Sequence, residues 1–156
     1  MTDGLRIVLD ARATTAHFPG VARATLGLLD GLRQLDHPHH LAVLAHAGAP
    51  PVALPAFSDP RLTYISSAAS PLGLAQHWQL PLLARTLQPA LWHAPYYIRP
   101  FIGVPRPVVT VYDVIGHVLP EALPSRRARL LFEVTLRLSL RTAAQIIVSS
   151  QATQHD

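Results

Sequence analysis

Hydrophobic residues recur along this chain with two periods, and the two alternate. Arg6–Asp10 (RIVLD) is a short apolar run closed by a carboxylate, which predicts a central buried strand. A polar, glycine-bearing loop follows over 11–20. Val21, Thr25, Leu28, Leu32 and Leu35 then repeat at helical spacing and predict a helix over 21–35. Gly27 and Gly31 lie four apart on it, each costing about 1 kcal/mol relative to alanine, so close packing on the sheet is expected there. Strand-like runs return at 41–46 (LAVLAH), 62–65 (LTYI), 90–94 (ALWHA), 108–112 (VVTVY) and 145–149 (QIIVS), the last three expected to be buried. Residues 73–88 predict a helix that Pro81 kinks or restarts.

The strongest helical pattern runs from Ser125, a suitable N-cap, to Ala144. Arg126, Arg129, Glu133, Arg137 and Arg141 form one narrow polar stripe on it, and most of the remaining circumference is apolar and expected to be buried. That stripe is either a solvated face or a contact with a membrane or a neighbouring domain. Strands alternating with helices over the whole length predict an α/β, Rossmann-like three-layer domain with a mostly parallel sheet and right-handed crossovers. Ser150 reads as the N-cap of a further helix just before Asp156. A strand feeding such a helix predicts that residues 1–156 are one domain of a longer protein.

Composition narrows the chemistry. Apolar residues make up 49% of the chain and charged ones 14%, which argues against disorder. Cysteine is absent, which removes disulfides, thiolate metal sites and cysteine nucleophiles and fits a cytoplasmic location. The start of the chain lacks the pattern of a secretory signal. All thirteen basic residues are arginine, and the net charge is +4. This balance fits a GC-rich coding sequence, or contact with phosphates or with the inner face of a membrane as a peripheral protein. No nucleic-acid recognition motif accompanies it, so no nucleic-acid partner is expected. His37, His39 and His40 form a short cluster, but nothing in their spacing converges three ligands, so no metal is expected. Neither GxSxG nor a P-loop is present.

Ligands of open α/β sheets bind beyond the carboxyl ends of the strands, and three loops qualify. The first follows Asp10 and enters a helix at Gly20, flanked by Arg12 and Arg23; it is an ordinary turn or a phosphate cradle. The second follows His93 and carries Tyr96, Tyr97 and Arg99, which suit a sugar or nucleotide unless the rings pack beneath their own loop. His93 itself faces a ligand or is a hydrogen-bonded strand residue. The third carries Tyr112 and Asp113; the carboxylate can orient a partner, cap the next turn or act as a base.

The segments HAPYYIRPF (93–101), PVVTVYDVIGHVLPEALP (107–124), IIVSSQATQHD (146–156) and VLDARATTAHFPGVAR (8–23) resemble the first domain of retaining, GT4-type (group 1) glycosyltransferases of the GT-B fold. The resemblance implies the acceptor-side lobe of an enzyme that moves a sugar from a nucleotide-sugar donor to a glycan, a lipid or another acceptor, with no cofactor. It implies a C-terminal nucleotide-sugar-binding domain that is not in this chain, and no activity for this lobe alone. It puts Gly20, Arg12 and Arg23 at the donor phosphates, Tyr112 and Asp113 at the transferred sugar, and His93, Tyr96, Tyr97 and Arg99 on the acceptor side. The sequence departs from the family at Tyr112, where a histidine is usual. It also departs at Ala22 and Ala24, where the family loop has glycine and tyrosine. The alternative is a non-catalytic Rossmann-like or flavodoxin-like module that binds a nucleotide or a partner.

Overall fold

A computed structural model describes residues 4–48, 59–119, 121 and 123–155. Six strands, β1 (Arg6–Asp10), β2 (His40–His46), β3 (Leu62–Ser67), β4 (Leu91–Ala94), β5 (Pro107–Val111) and β6 (Gln145–Val148), form one sheet. Their order is β3-β2-β1-β4-β5-β6 and every pairing is parallel. The inner strands are parallel because apolar side chains leave both of their faces and each face needs a cover. The helices are α1 (Pro19–Gln34), α2 (Gln76–Leu87), α3 (Ile115–Val118), α4 (Arg126–Arg141) and α5 (Gln151–His155). The domain is therefore α/β and Rossmann-like, with three layers.

On one face of the sheet, Val8, Ala42, Leu44 and Trp92 pack against Leu80 and Ala84 of α2. Farther along, Val109 and Val111 pack against Leu136 of α4. On the opposite face, Leu9, Leu41 and Val43 meet Leu29 of α1. The strand sequence turns back between β1 and β4, which makes that gap the switch point at which ligands enter such sheets.

Local chemistry accounts for the helix ends. Pro19 sits at the first position of α1, where its missing N–H costs nothing. Ser125 caps α4 by accepting the Ala128 N–H at 3.1 Å, and Ser150 caps α5 by accepting from Thr153 N at 3.1 Å. Pro81 lies inside α2, which begins only at Gln76.

Three expectations are corrected. Gly27 and Gly31 are exposed and a Cβ on either would meet nothing within 4 Å, because α1 buries Val21, Ala22, Thr25 and Leu29 instead. β6 is a sheet edge, with Ile146 and Ile147 both exposed. α4 buries only Leu136 and Ser139 and exposes Leu130, Leu131, Val134 and Leu138. Among the described residues, no helix is long and apolar enough to cross a membrane.

Candidate functional site

β1 delivers Asp10 to the rim, where the chain turns through a short 3-10 segment. Asp10 is buried and takes Arg12 in a bidentate grip, Nε to Oδ1 and Nη2 to Oδ2, both at 2.8 Å. Arg12 also donates to the Ala69 carbonyl at 2.9 Å and to Gln76 Oε1 at 3.1 Å. The group ties β1 to the segment after β3 and to the start of α2. Arg12, expected at the donor phosphates, is therefore an interior brace with its guanidinium turned from solvent.

Beyond that brace the chain reaches Phe18, which precedes α1 without capping it by a side chain. Gly20 is exposed on the first turn, with open space where a Cβ would stand. Gly20 and Val21 are the first residues of α1 to carry an N–H, since Pro19 has none and the first N–H groups of a helix have no partner inside it. Arg23 is exposed nearby on α1.

The loop after β4 stays close to the protein. Arg99 is completely buried and donates to the Pro100 and Ser139 carbonyls and to Thr142 Oγ1, each at 2.7 Å. Burial lowers its pKa to about 10, so it remains charged at neutral pH. The partial negative charge at the end of α4 compensates it. Arg99, expected beside the acceptor, instead pins the loop to the last turn of α4. Tyr97, expected on the acceptor side, packs beneath its loop in the core with Val109, Val111 and Leu136, and only the half-buried Tyr96 reaches the rim; their ring centroids are 4.3 Å apart and Tyr96 donates to Tyr97 Oη at 3.2 Å. Phe18 lies 5.1 Å from Tyr96, and Phe132 of α4 lies 5.4 Å from Tyr97. These four rings form a continuous aromatic wall from the start of α1 to α4.

Desolvation is the main cause that raises the pKa of both phenols, and the Asp113 charge adds to the shift in each. Both phenols are neutral at physiological pH and serve as hydrogen-bonding groups rather than bases. Asp113 is exposed, and its Oδ1 accepts the Ile115 N–H at 3.2 Å, so it caps the turn into α3. Burial also raises the pKa of Tyr112, and the Tyr112 carbonyl takes the Ser149 and Thr153 hydroxyls at 2.6 and 3.1 Å. His93 lies one residue before the end of β4, on the α1 face of the sheet beside Leu9. Its Nε2 is 3.0 Å from Thr110 Oγ1, and burial lowers its pKa, which keeps it neutral.

The fold thus gathers Tyr96, Tyr97 and Asp113, with Tyr112 adjacent in sequence, and Phe18 joins them to the open end of α1 at Gly20. Arg12 and Arg99 fall outside this group. Phe18 was not among the residues expected from sequence; its signal was an aromatic side chain directly before a Pro-Gly helix start. The histidine cluster is engaged locally: His37 Nε2 lies 2.9 Å from the Leu32 carbonyl, and His37 and His39 Nδ1 accept backbone N–H groups. No group of three or more metal-binding side chains occurs among the described residues. A groove of about 640 Å³ borders the rim, with an apolar floor that includes Val111, Leu136, Leu140 and Val148. His117, Glu133 and Arg137 stand at its edge, His117 Nδ1 being 2.6 Å from Glu133 and Arg137 3.2 Å from it. Comparison with known proteins finds no matching family model and no significant match among curated proteins or solved structures.

Proposed function

We propose that this domain is the acceptor-side lobe of a retaining glycosyltransferase that uses a nucleotide-sugar donor. The observation that carries this reading is the aromatic wall of Phe18 and Tyr96, backed by the buried Tyr97, at the switch point of a parallel sheet, with the exposed Asp113 carboxylate on the loop after the neighbouring strand β5. Ring faces receive the apolar faces of a sugar, and a carboxylate and phenols bind its hydroxyls. The open N-terminus of α1 at Gly20 suits a donor phosphate. The apolar groove next to the rim suits the aliphatic part of a lipid-linked acceptor. Resemblance of the 8–23, 93–101, 107–124 and 146–156 segments to group 1 glycosyltransferases supports the same reading.

In this scheme a second lobe holds the nucleotide and closes over the rim, which excludes water and completes the reacting geometry. Tyr112 stands where the family has a histidine and alters the contact with the transferred sugar. The test is a screen of the full-length protein for sugar transfer from a panel of nucleotide sugars. Tyr96→Phe and Asp113→Asn, which keep the ring packing and the turn cap, should each lower turnover by about tenfold or more while the melting temperature moves little. Nucleotide binding with no transfer from any donor would favour the non-catalytic module.

A further inference from the structure

We propose that the outward face of α4 docks on an anionic lipid bilayer. Four of its apolar residues are open to solvent: Leu130 is 67% exposed, Leu131 59%, Val134 45% and Leu138 39%. At the helical repeat these four fall within an arc of about 100°. Arginines frame the arc. Arg126 and Arg127 begin the helix, Arg141 ends it, and all three are exposed with no ion pair among the described residues. Arg137 lies at the edge of the arc and pairs with Glu133 at 3.2 Å.

Two features of this face call for an external anion. The first turn of α4 holds Arg126 and Arg127 and no acidic residue, against the preference of a helix N-terminus for negative charge. A local cost without an internal gain points to function. The arrangement along the axis also matches an interface. Leucines and valine occupy the middle of a helix about 24 Å long, and arginines at both ends can snorkel to phosphates while the apolar middle sinks below them.

A second copy of the chain fits this face poorly. Self-pairing apposes identical patches. Parallel or antiparallel, it sets arginine ends against arginine ends on molecules of net charge +4. An anionic membrane satisfies the leucines and the arginines together. The contact stands independently of sugar transfer at the rim: of its residues only Arg137 borders the groove there, and none of the substitutions that test it touches Arg137.

Flotation with phosphatidylcholine vesicles, with and without about one third phosphatidylglycerol, tests the proposal. The chain should be carried by the anionic vesicles and not by the neutral ones, and raised salt should release it. Arg127→Gln with Arg141→Gln should weaken binding by about 25-fold, about fivefold per arginine. Leu131→Gln with Leu138→Gln should abolish flotation with circular dichroism unchanged. If that pair misfolds, the arginine pair decides, since neither side chain is packed. Capture by neither vesicle, equal capture by both, or retention by the arginine variant would overturn the proposal. So would a dimer, seen by light scattering, that the leucine substitutions dissociate while vesicles are ignored.

Discussion

Replacing Arg12 with alanine should cost far more folding stability than a rim arginine ordinarily does. Its guanidinium makes four hydrogen bonds, two at 2.8 Å to Asp10, one at 2.9 Å to the Ala69 carbonyl and one at 3.1 Å to Gln76. Arg12 is 1% exposed and Asp10 5%, so solvent screens the pair little. Removing one member of such a pair leaves a buried charge uncompensated, at a cost of about 3–5 kcal/mol. Water entering the vacated space favours the lower end. A domain stability of about 5–15 kcal/mol would then fall by roughly a third. At a urea slope of about 2 kcal/mol per molar, the midpoint should drop by about 1.5 M. Arg12→Met with Asp10→Asn removes both charges and should recover at least about 2 kcal/mol over Arg12→Ala. Exposed Arg23→Ala should stay within about 0.5 kcal/mol. A loss below about 1 kcal/mol for Arg12→Ala, with nucleotide-sugar binding abolished, would return Arg12 to the ligand and refute the brace.

Gly27→Ala and Gly31→Ala should each raise stability by about 0.5–1 kcal/mol in urea melts, since both positions are helical, exposed and free of clashes. A loss at either site would mean that the helix is packed there. Burial holds His93 and His77 below the usual histidine range. The unfolded chain therefore protonates first, so stability is full above about pH 6.5 and declines as the pH falls from there toward the folded values. His93→Gln should flatten the decline of the urea midpoint between about pH 7 and 5; an unchanged slope would remove His93 as a cause. Arg99→Ala should destabilise by about 2–4 kcal/mol by leaving the Ser139 carbonyl of α4 and the Pro100 carbonyl without their donor, and should do so with or without acceptor.

Much of the fold was legible because strands buried on both faces announce themselves. RIVLD and VVTV are apolar without alternation, and only a sheet covered on both sides uses such runs. Ser125 and Ser150 were legible as caps because a cap acts within three residues. The fates of Arg12 and Arg99 were not legible. Beyond the nearby Asp10 and Pro100, their partners lie 57 and 64 residues away in one case and 40 and 43 in the other. Local pattern carries no record of such distances, and an arginine near a strand end reads the same whether it faces a ligand or a carbonyl. The helix α4 exposed a different limit. Periodicity identifies residues that share a face but not whether anything covers it, so Leu130, Leu131, Val134 and Leu138 read as core. Gly27 and Gly31 misled in the same way.

The displaced arginines change what the rim can bind. With Arg12 and Arg99 turned inward, the rim presents the rings of Phe18 and Tyr96, the neutral Tyr96 phenol and the Asp113 carboxylate. A carboxylate repels a phosphate and accepts hydroxyls, so on the proposed reading this surface should favour an uncharged, hydroxyl-rich ligand over an anionic one. Attraction for a phosphate near the rim is left to the start of α1 and to Arg23 beside it. A donor carrying two phosphates therefore needs most of its charge neutralised from outside the Tyr96–Asp113 surface. That division matches an enzyme whose other lobe holds the nucleotide. It makes a direct prediction: the chain should bind neutral oligosaccharides or lipid-linked sugars more tightly than free nucleoside diphosphates. Titration calorimetry giving the reverse order would mean that the open end of α1, rather than the aromatic wall, dominates recognition.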